Sequence, residues 1–240
     1  MKFLEILKNA IYPEHYSCLL CEKEIDYKNC DFCEKCLKEL PYINGKVCLR
    51  CGEPINIQSN YCINCKNTHH SFKKNISCFE YTQPISNLII NFKFNKAKYI
   101  GNAFSNFMVQ KCIEENIIPD VIIPIPLHKS RLKERGFNQA ELLAKPLAQK
   151  MKIPLLNNCI IRKKNTTKQS LLSTIERTEN VKDAFEVIDK NAIKNKIILL
   201  VDDVYTTGAT LSSCAESLKK AKAKEVYCIT LAHAVKNKLI

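Results

Sequence analysis

Cysteines arranged as four CxxC pairs near the amino terminus limit what this chain can fold into more than any other feature. Two pairs separated by eleven residues are followed, thirty residues later, by two pairs separated by ten. A CxxC turn directs two thiolates at one tetrahedral centre, and a second pair across a short hairpin completes a four-cysteine ligand set. The spacing therefore predicts two zinc ribbons, one held by Cys18, Cys21, Cys33 and Cys36 and the other by Cys48, Cys51, Cys62 and Cys65.

Both zinc ions are predicted to be structural, because four thiolates close the coordination shell and a catalytic zinc keeps one position open to water. A ribbon of this size buries too little apolar area to fold alone, so the metal's binding energy is also its folding energy. Cys30 leaves an alternative open, since Cys30, Cys33 and Cys36 form CxxCxxC, a spacing compatible with shifted pairing or an iron–sulfur cluster. The other cysteines are predicted to be buried small hydrophobic residues: Cys78, Cys112, Cys159, Cys214 and Cys228.

The location predicted from the sequence is cytoplasmic. No apolar run reaches the ~18 residues that a membrane-spanning helix needs. Residues 1–13 contain Glu5 and Lys8, and they are interpreted as a short amphipathic helix and not as a secretion signal. Clustered cysteines with metal-ligand spacing also suit a reducing compartment.

Most of the positive charge lies in the middle of the chain. The formal net charge is +13, and residues 120–196 contain 16 basic and 8 acidic side chains. Two occupied four-thiolate sites would lower the total to about +9. Four of the five arginines lie in this basic segment, and arginine binds phosphate through a bidentate fork that lysine lacks. These four are therefore candidate anion ligands: Arg131, Arg135, Arg162 and Arg177.

From Cys78 onward, short apolar runs alternate with helical patterns, which indicates βα units around a parallel sheet. The predicted strands are 77–81, 121–126, 197–201 and 226–231. The predicted helices are 84–94, 97–116, 138–151 (broken or bent at Pro146) and 208–221. The fold class is therefore α/β, a parallel sheet flanked by helices and preceded by a small zinc-ribbon module. The predicted division is 1–75 for the ribbons and 76–240 for the sheet domain.

The end of the predicted strand 197–201 is the most informative site. Two carboxylates, Asp202 and Asp203, are followed by Thr206, Thr207, Gly208, Ala209 and Thr210, which we call the threonine loop, at the start of a helix. Backbone N–H groups at a helix start, a glycine that permits close approach and three hydroxyls can bind a phosphate. The carboxylates can accept hydrogen bonds from vicinal hydroxyls. A phosphate beside a diol describes a ribose 5-phosphate.

This stretch resembles the phosphoribosyl pyrophosphate (PRPP) motif of type I phosphoribosyltransferases, and other stretches narrow the resemblance to the ComF family, associated with natural competence and DNA uptake. The most distinctive block runs from Pro124 to His128 and continues through Arg131 and residues 134–140. Arg162, residues 169–171, Glu176, Arg177, Asn180 and Phe185 resemble the family's loop region, and the cysteine pairs also match, favouring Cys33 and Cys36 over Cys30. Tyr205 and Pro146 depart from the family pattern, which usually has a small aliphatic residue and an unbroken helix there.

The resemblance implies a PRPP site in which Mg²⁺ accompanies the pyrophosphate. Asp202 and Asp203 would hold the ribose hydroxyls, with Val204, Tyr205 and the threonine loop around the 5-phosphate. The turn from Ile125 to His128, which includes Pro126 and Leu127, would hold the pyrophosphate together with Arg131 and Arg135. The basic loop from Arg162 to Arg177 would close as a lid. His128 would protonate or orient the pyrophosphate, although a helix-capping or core role fits it equally well.

Three functions fit these features. The first is a phosphoribosyltransferase-like protein of the competence machinery, a glycosyltransferase if it turns over. The second is a non-catalytic accessory protein that binds PRPP or single-stranded DNA, because basic grooves follow phosphate backbones. The third is a nucleobase-salvage phosphoribosyltransferase, which gives no reason for two zinc ribbons. The implied partners are PRPP, single-stranded DNA and, at the level of the family, the DNA-translocating ATPase of competence.

Overall fold

A computed structural model describes residues 17–25, 31–55, 58–91, 97–164, 181 and 183–234 of the 240. The predicted amino-terminal helix, Cys30 and most of the predicted lid lie outside these residues. Cα packing divides the chain into two compact units, Met1–Pro41 and Tyr42–Ile240. The second cysteine cluster thus packs in the same unit as the sheet, whereas the division between residues 75 and 76 stays a prediction. Among the described helices, none is both long and apolar enough to cross a membrane.

The described part of the first unit is a small zinc-ribbon fold made of a CxxC turn, an antiparallel bridge and a short helix. Ser17 and Glu24 form an antiparallel bridge, and the backbone N–H of Glu22 donates to the carbonyl of Cys18 at 2.9 Å. Helix α1 (Glu34–Glu39) begins directly after Cys33. These turns bring the two CxxC pairs of the first cluster to one point.

The second unit begins with the same arrangement, which shows that the internal sequence repeat is also a structural repeat. Val47 and Pro54 form the antiparallel bridge, and the N–H of Gly52 donates to the carbonyl of Cys48 at 2.9 Å. Helix α2 (Ile63–Asn67) begins directly after Cys62.

A four-stranded parallel sheet forms the centre of the second unit. Its strands are β1 (Lys74–Glu80), β2 (Val121–Pro124), β5 (Ile197–Tyr205) and β6 (Glu225–His233), in the order β1-β6-β5-β2. The helices of this unit after α2 are α3 (Ile85–Asn91), α4 (Ala97–Glu114), α5 (Lys129–Arg135), α6 (Gln139–Met151) and α7 (Ala209–Lys220). A separate antiparallel pair, β3 (Ile160–Arg162) with β4 (Phe185–Val187), completes the described elements.

Helices cover both faces of the sheet, which is why its strands are continuous apolar runs. Helix α7 packs on β5 and β6, where Ile198 and Leu200 join one hydrophobic cluster with Leu211 and Leu218. Cys48, Cys51 and Cys62 belong to the same cluster. Helices α4 and α6 pack against each other; α4 also contacts β1 and β6, and α6 also contacts β2 and β5. The α/β architecture predicted from the sequence is confirmed, with the second cysteine cluster built into one side of its core.

Several predicted element boundaries need correction. Strand β1 starts at Lys74 and not at Ser77, and β5 runs to Tyr205 and not to Val201. The acidic pair therefore lies within a paired strand, with Asp202 opposite Thr230 of β6. Helix α5 and the β3–β4 pair were not predicted, because seven-residue and three-residue elements carry too little periodicity to detect.

Pro146 was predicted to break or bend its helix, and the break is absent, since α6 is helical from Gln139 to Met151 with this proline inside it. A proline lacks the N–H that would bond the carbonyl four residues earlier, here that of Leu142. That carbonyl lies against Gly101 of α4, where a Cβ atom would collide with it. Glycine at 101 therefore lets the two helices pack closely at the point where the helical hydrogen bond is missing.

Candidate functional site

The predicted zinc ligands are brought together in two groups of four. In each group the four Sγ atoms lie within 4.8 Å of one another. A tetrahedral zinc with Zn–S bonds of about 2.3 Å requires Sγ atoms about 3.8 Å apart. Two separations match this value: 3.8 Å from Cys21 to Cys33 and 3.7 Å from Cys51 to Cys62. The donor set therefore fits structural zinc at both clusters, and each closed shell leaves no position for a substrate.

Asp202 and Asp203 lie half-buried at the carboxyl end of β5. The Oδ1 of Asp202 accepts from the N–H of Asp203 at 3.0 Å, and the Oδ1 of Asp203 accepts from that of Val204 at 2.8 Å. Burial, and then the charge of Asp203, raises the pKa of Asp202 well above its ordinary value. Burial likewise raises the pKa of Asp203. Burial destabilises the ionised form of both carboxyls, so they are suited to bind a ligand that supplies hydrogen-bond donors or cations.

The threonine loop follows the acidic pair and leads into α7. Gly208 adopts a left-handed conformation with φ of 75° as the N-cap residue of the helix. The hydroxyl oxygen of Thr207 accepts from the N–H of Ala209 at 3.3 Å, and the three threonines are half-buried. The loop therefore presents backbone N–H groups and hydroxyls beside the acidic pair, at the edge where ligands of open α/β sheets bind.

Arginines from two elements reach this edge. Arg131 and Arg135 are four residues apart on α5, so they share a face of the helix, and both are half-buried while Lys129 and Lys133 are exposed. The charge of Arg135 partly offsets the rise in the pKa of Asp203. Its Nη1 also donates to Oε1 of Gln139 at 2.8 Å.

Arg162 comes from the last position of β3, which pairs with Phe185 of β4. Its guanidinium lies 5.6 Å from the centre of the Phe185 ring. Burial lowers the pKa of Arg162, with opposing contributions from Asp202 and Arg131. The two carboxyls therefore respond to different cations, since the charge of Arg162 lowers the pKa of Asp202 and the charge of Arg135 lowers that of Asp203.

His128 caps α5. Its Nδ1 accepts from the N–H of Ser130 at 3.3 Å and lies 2.7 Å from the Ser130 hydroxyl. Pro126 and Leu127 are half-buried in the same turn, which Asn138 holds by donating to the carbonyl of Ile125 at 3.0 Å. The capping role is visible, and a role toward pyrophosphate stays a prediction. Arg177 lies outside the described residues.

One residue near the site, Tyr81, was missed by the sequence analysis. Burial, and then the Asp203 carboxylate, raises the pKa of Tyr81, which follows β1 at the same edge of the sheet. Nothing in the sequence marked this residue. Tyr205, which the family resemblance placed around the 5-phosphate, is 4% exposed, and its ring is directed into the protein interior.

The fold, the site and the family models that match the sequence all indicate the same class of protein. A phosphoribosyl transferase domain matches residues 105–238, and a double zinc ribbon domain matches residues 7–66. The chain therefore combines a phosphoribosyltransferase domain with a double zinc ribbon.

Three curated relatives narrow the class to one family. The chain is 34% identical to "Competence protein F" of Haemophilus influenzae, covering 96% of this chain and 93% of that protein. It is 38% identical to "Competence protein ComFC" of Bacillus subtilis over 66% of this chain and 64% of that protein. It is 29% identical to "DNA utilization protein YhgH" of Escherichia coli over 75% and 81%. The chain belongs to the competence protein F (ComF) family, which confirms the resemblance inferred from the sequence.

Proposed function

We propose that this chain binds PRPP with Mg²⁺ at the carboxyl end of β5 and acts in handling single-stranded DNA during natural transformation. The proposal is carried by one juxtaposition: a half-buried acidic pair at the end of β5 is followed directly by the threonine loop, and the charges of Arg162 and Arg135, from two other elements, act on its carboxyls. The acids suit ribose hydroxyls, the loop suits a 5-phosphate, and the arginines suit a pyrophosphate. Mg²⁺ binds phosphate oxygens together with carboxylates, so it would enter with PRPP beside the acidic pair.

Titration calorimetry with PRPP and Mg²⁺ tests the small-molecule site. Wild-type protein is expected to bind, and the double change Asp202→Asn with Asp203→Asn is expected to abolish binding. Glu134→Gln, an exposed acid on α5, serves as the matched control and should leave affinity unchanged. Unchanged affinity in the double variant would refute this site.

Turnover is tested separately by pyrophosphate release in the presence of PRPP. Stabilising the departing charge is the main task in phosphoribosyl transfer, and Arg131, Arg135 and Arg162 are the cations placed to do it. Release with a base, nucleoside or oligonucleotide as acceptor would identify an enzyme. Release with a free nucleobase only would instead favour a salvage transferase. PRPP binding without release for any acceptor would identify a non-catalytic accessory protein.

A separate feature of α5 favours the DNA part of the proposal. Its arginines are half-buried, whereas Lys129 and Lys133 are exposed, so one helix carries two distinct sets of cations. Exposed lysines near a site of this kind suit a phosphate backbone, whose binding weakens as salt increases.

Single-strand binding is therefore expected to fall steeply with salt. Replacing both Lys129 and Lys133 by alanine should reduce the salt slope by about 1.4, because each phosphate contact on a single strand contributes about 0.7. The same double variant should bind PRPP as wild type does. Salt-independent DNA binding would reject this surface. Co-purification tests the expected contact with the competence DNA-translocating ATPase.

A further inference from the structure

The ring of Tyr205 connects the threonine loop to the second cysteine cluster. It stacks on His233 with centroids 4.6 Å apart and meets the edge of Phe72 at 6.5 Å. Its hydroxyl lies 3.5 Å from Nε2 of His70, which itself stacks on Phe72 at 4.8 Å. Four rings, almost fully buried, thus form one packed group beneath the loop.

Gly208 rests directly on this group. Its φ of 75° is one that glycine adopts without strain, and a Cβ atom there would collide with the hydroxyl and ring of Tyr205. The residue that begins α7, and that sets the direction of the loop's N–H groups, is therefore supported from below by the Tyr205 ring. A small aliphatic side chain would leave this space unfilled.

The opposite side of the ring group is attached to the second cysteine cluster. Arg50 lies inside the Cys48–Cys51 turn, and its Nη1 lies 3.4 Å from the carbonyl of His70 and 3.5 Å from that of Phe72. The carbonyl of Arg50 accepts from the N–H of Asn75 at 2.8 Å. Movement of this turn would therefore move the segment that carries His70 and Phe72.

A buried polar chain leads from the same cluster to Thr230, next to the acidic pair in the sheet. Nδ2 of Asn75 donates to the carbonyl of Cys51 at 2.9 Å and to the Ser77 hydroxyl at 3.1 Å. The Ser77 hydroxyl lies 2.7 Å from that of Thr230, the residue opposite Asp202 in the sheet. Asn75, Ser77 and Thr230 are at most 1% exposed, so these bonds have no competition from water.

We propose that Tyr205 is a positioning residue that couples the second zinc site to the threonine loop, so that zinc in this cluster holds the loop in its anion-binding conformation. The coupling belongs to the second cluster, because Tyr205, which lies beneath Gly208, contacts His70 and Phe72, and Arg50 of the Cys48–Cys51 turn lies against the carbonyls of both. The ligand part of this inference rests on the proposed function. By linkage, a phosphate ligand on the loop must also strengthen zinc binding in this cluster.

Hydrogen exchange of the backbone amides of residues 206–210, read by mass spectrometry, tests the coupling without any ligand. Cys65→Ser removes a ligand of the second cluster, and Cys36→Ser is the matched change in the first. Exchange is expected to accelerate about tenfold in Cys65→Ser and to stay unchanged in Cys36→Ser. Equal acceleration in both variants, or none in Cys65→Ser, would overturn the proposal.

Two variants of Tyr205 separate positioning from folding. Tyr205→Leu should retain two zinc ions per chain yet accelerate exchange at residues 206–210 about tenfold, whereas Tyr205→Phe keeps the ring and should restore slow exchange. If Cys65→Ser does not fold, the two Tyr205 variants alone decide whether the proposed coupling is correct. Wild-type exchange in Tyr205→Leu would reject the positioning role.

Zinc affinity provides the reciprocal measurement. At equilibrium with a competing chelator, PRPP with Mg²⁺ is expected to raise the affinity for one of the two zinc ions about tenfold in wild type, and to have no such effect in Tyr205→Leu. If PRPP binds and the zinc affinity is unchanged, the coupling is wrong and the proposed function stands. If PRPP does not bind at all, the proposed function fails, and the exchange experiment still decides the coupling.

Discussion

At the scale of single residues, the burial that places the acidic pair in the site also lowers the stability of the folded protein. Asp202 and Asp203 are partly desolvated, and the pKa of each is raised chiefly by that burial. Arg162 and Arg135 offset the rise only in part. A carboxyl whose pKa is raised in the folded state destabilises that state once it ionises.

Replacing Asp202 by asparagine should therefore stabilise the ligand-free protein at neutral pH. The folded state binds more protons than the unfolded state between the ordinary carboxyl pKa and the raised one, so wild-type stability falls as pH rises through that window. The melting temperature of Asp202→Asn should exceed that of wild type at pH 7, and the difference should vanish below about pH 4. Thermal melts across pH measure this. A lower melting temperature at pH 7 would contradict the interpretation.

Gly52, like Gly208, is a position where glycine is required. Its φ is 77°, and a Cβ atom there would lie 2.9 Å from the backbone oxygen of Asn75. Gly45 has the same φ of 77° with nothing within 4 Å of a Cβ, so it isolates the conformational cost from the steric one.

Gly45→Ala is expected to cost about 1 kcal/mol and Gly52→Ala about 2–4 kcal/mol of unfolding free energy. Chemical denaturation at saturating zinc measures both changes. Equal costs would show that the contact with Asn75 relaxes freely.

At the scale of elements, β1 joins the sheet to the second cysteine cluster through polar side chains in place of apolar ones. Asn75 and Ser77 lie within a strand whose interior positions are all buried, and their hydrogen bonds lead to Cys51 and Thr230. A buried hydroxyl is tolerated because each has a partner. Removing one partner alone therefore costs more than removing both.

Ser77→Ala is expected to lower the unfolding free energy by about 1–3 kcal/mol, since it leaves the Thr230 hydroxyl buried without this partner. Adding Thr230→Val should cost less than the sum of the two single changes, with a coupling of about 1 kcal/mol. Denaturation of the four proteins of this double-mutant cycle gives the coupling. Strict additivity would show that the two hydroxyls do not interact.

At the scale of the whole molecule, the two cysteine clusters differ in which part of the protein they stabilise, although their sequences repeat. The second contributes three thiols to the hydrophobic cluster that contains α7 and β5, whereas the first belongs to the compact unit that ends at Pro41. Because metal binding energy is folding energy in such ribbons, loss of zinc should affect only the unit that contains it.

Cys65→Ser should lower the melting temperature of the sheet by about 10 °C or more, and Cys36→Ser by about 3 °C or less. Calorimetry with zinc analysis of each variant measures this, and each variant should hold one zinc ion. A larger effect from Cys36→Ser would show that the first cluster stabilises the sheet.

Features that depend on local spacing could be predicted from the amino-acid sequence alone. The CxxC pairs predicted two four-cysteine groups. In each group, two CxxC turns that are close in sequence can direct four thiolates at one ion without help from the rest of the fold. The apolar runs identified the central strands, because a sheet buried on both faces requires them. Residues 201–210 marked the site, since a strand end followed by a helix start is itself local.

Contacts between residues that are distant along the chain became visible only in the folded protein. Nothing near Tyr205 in the sequence shows that its ring is packed beneath Gly208 and against His70, 135 residues away along the chain. The partners of the acidic pair came from β3 and α5, elements too short to predict. The second ribbon's place in the core of the sheet unit was likewise undetermined, because side-chain packing depends on contacts between segments and not on periodicity within them.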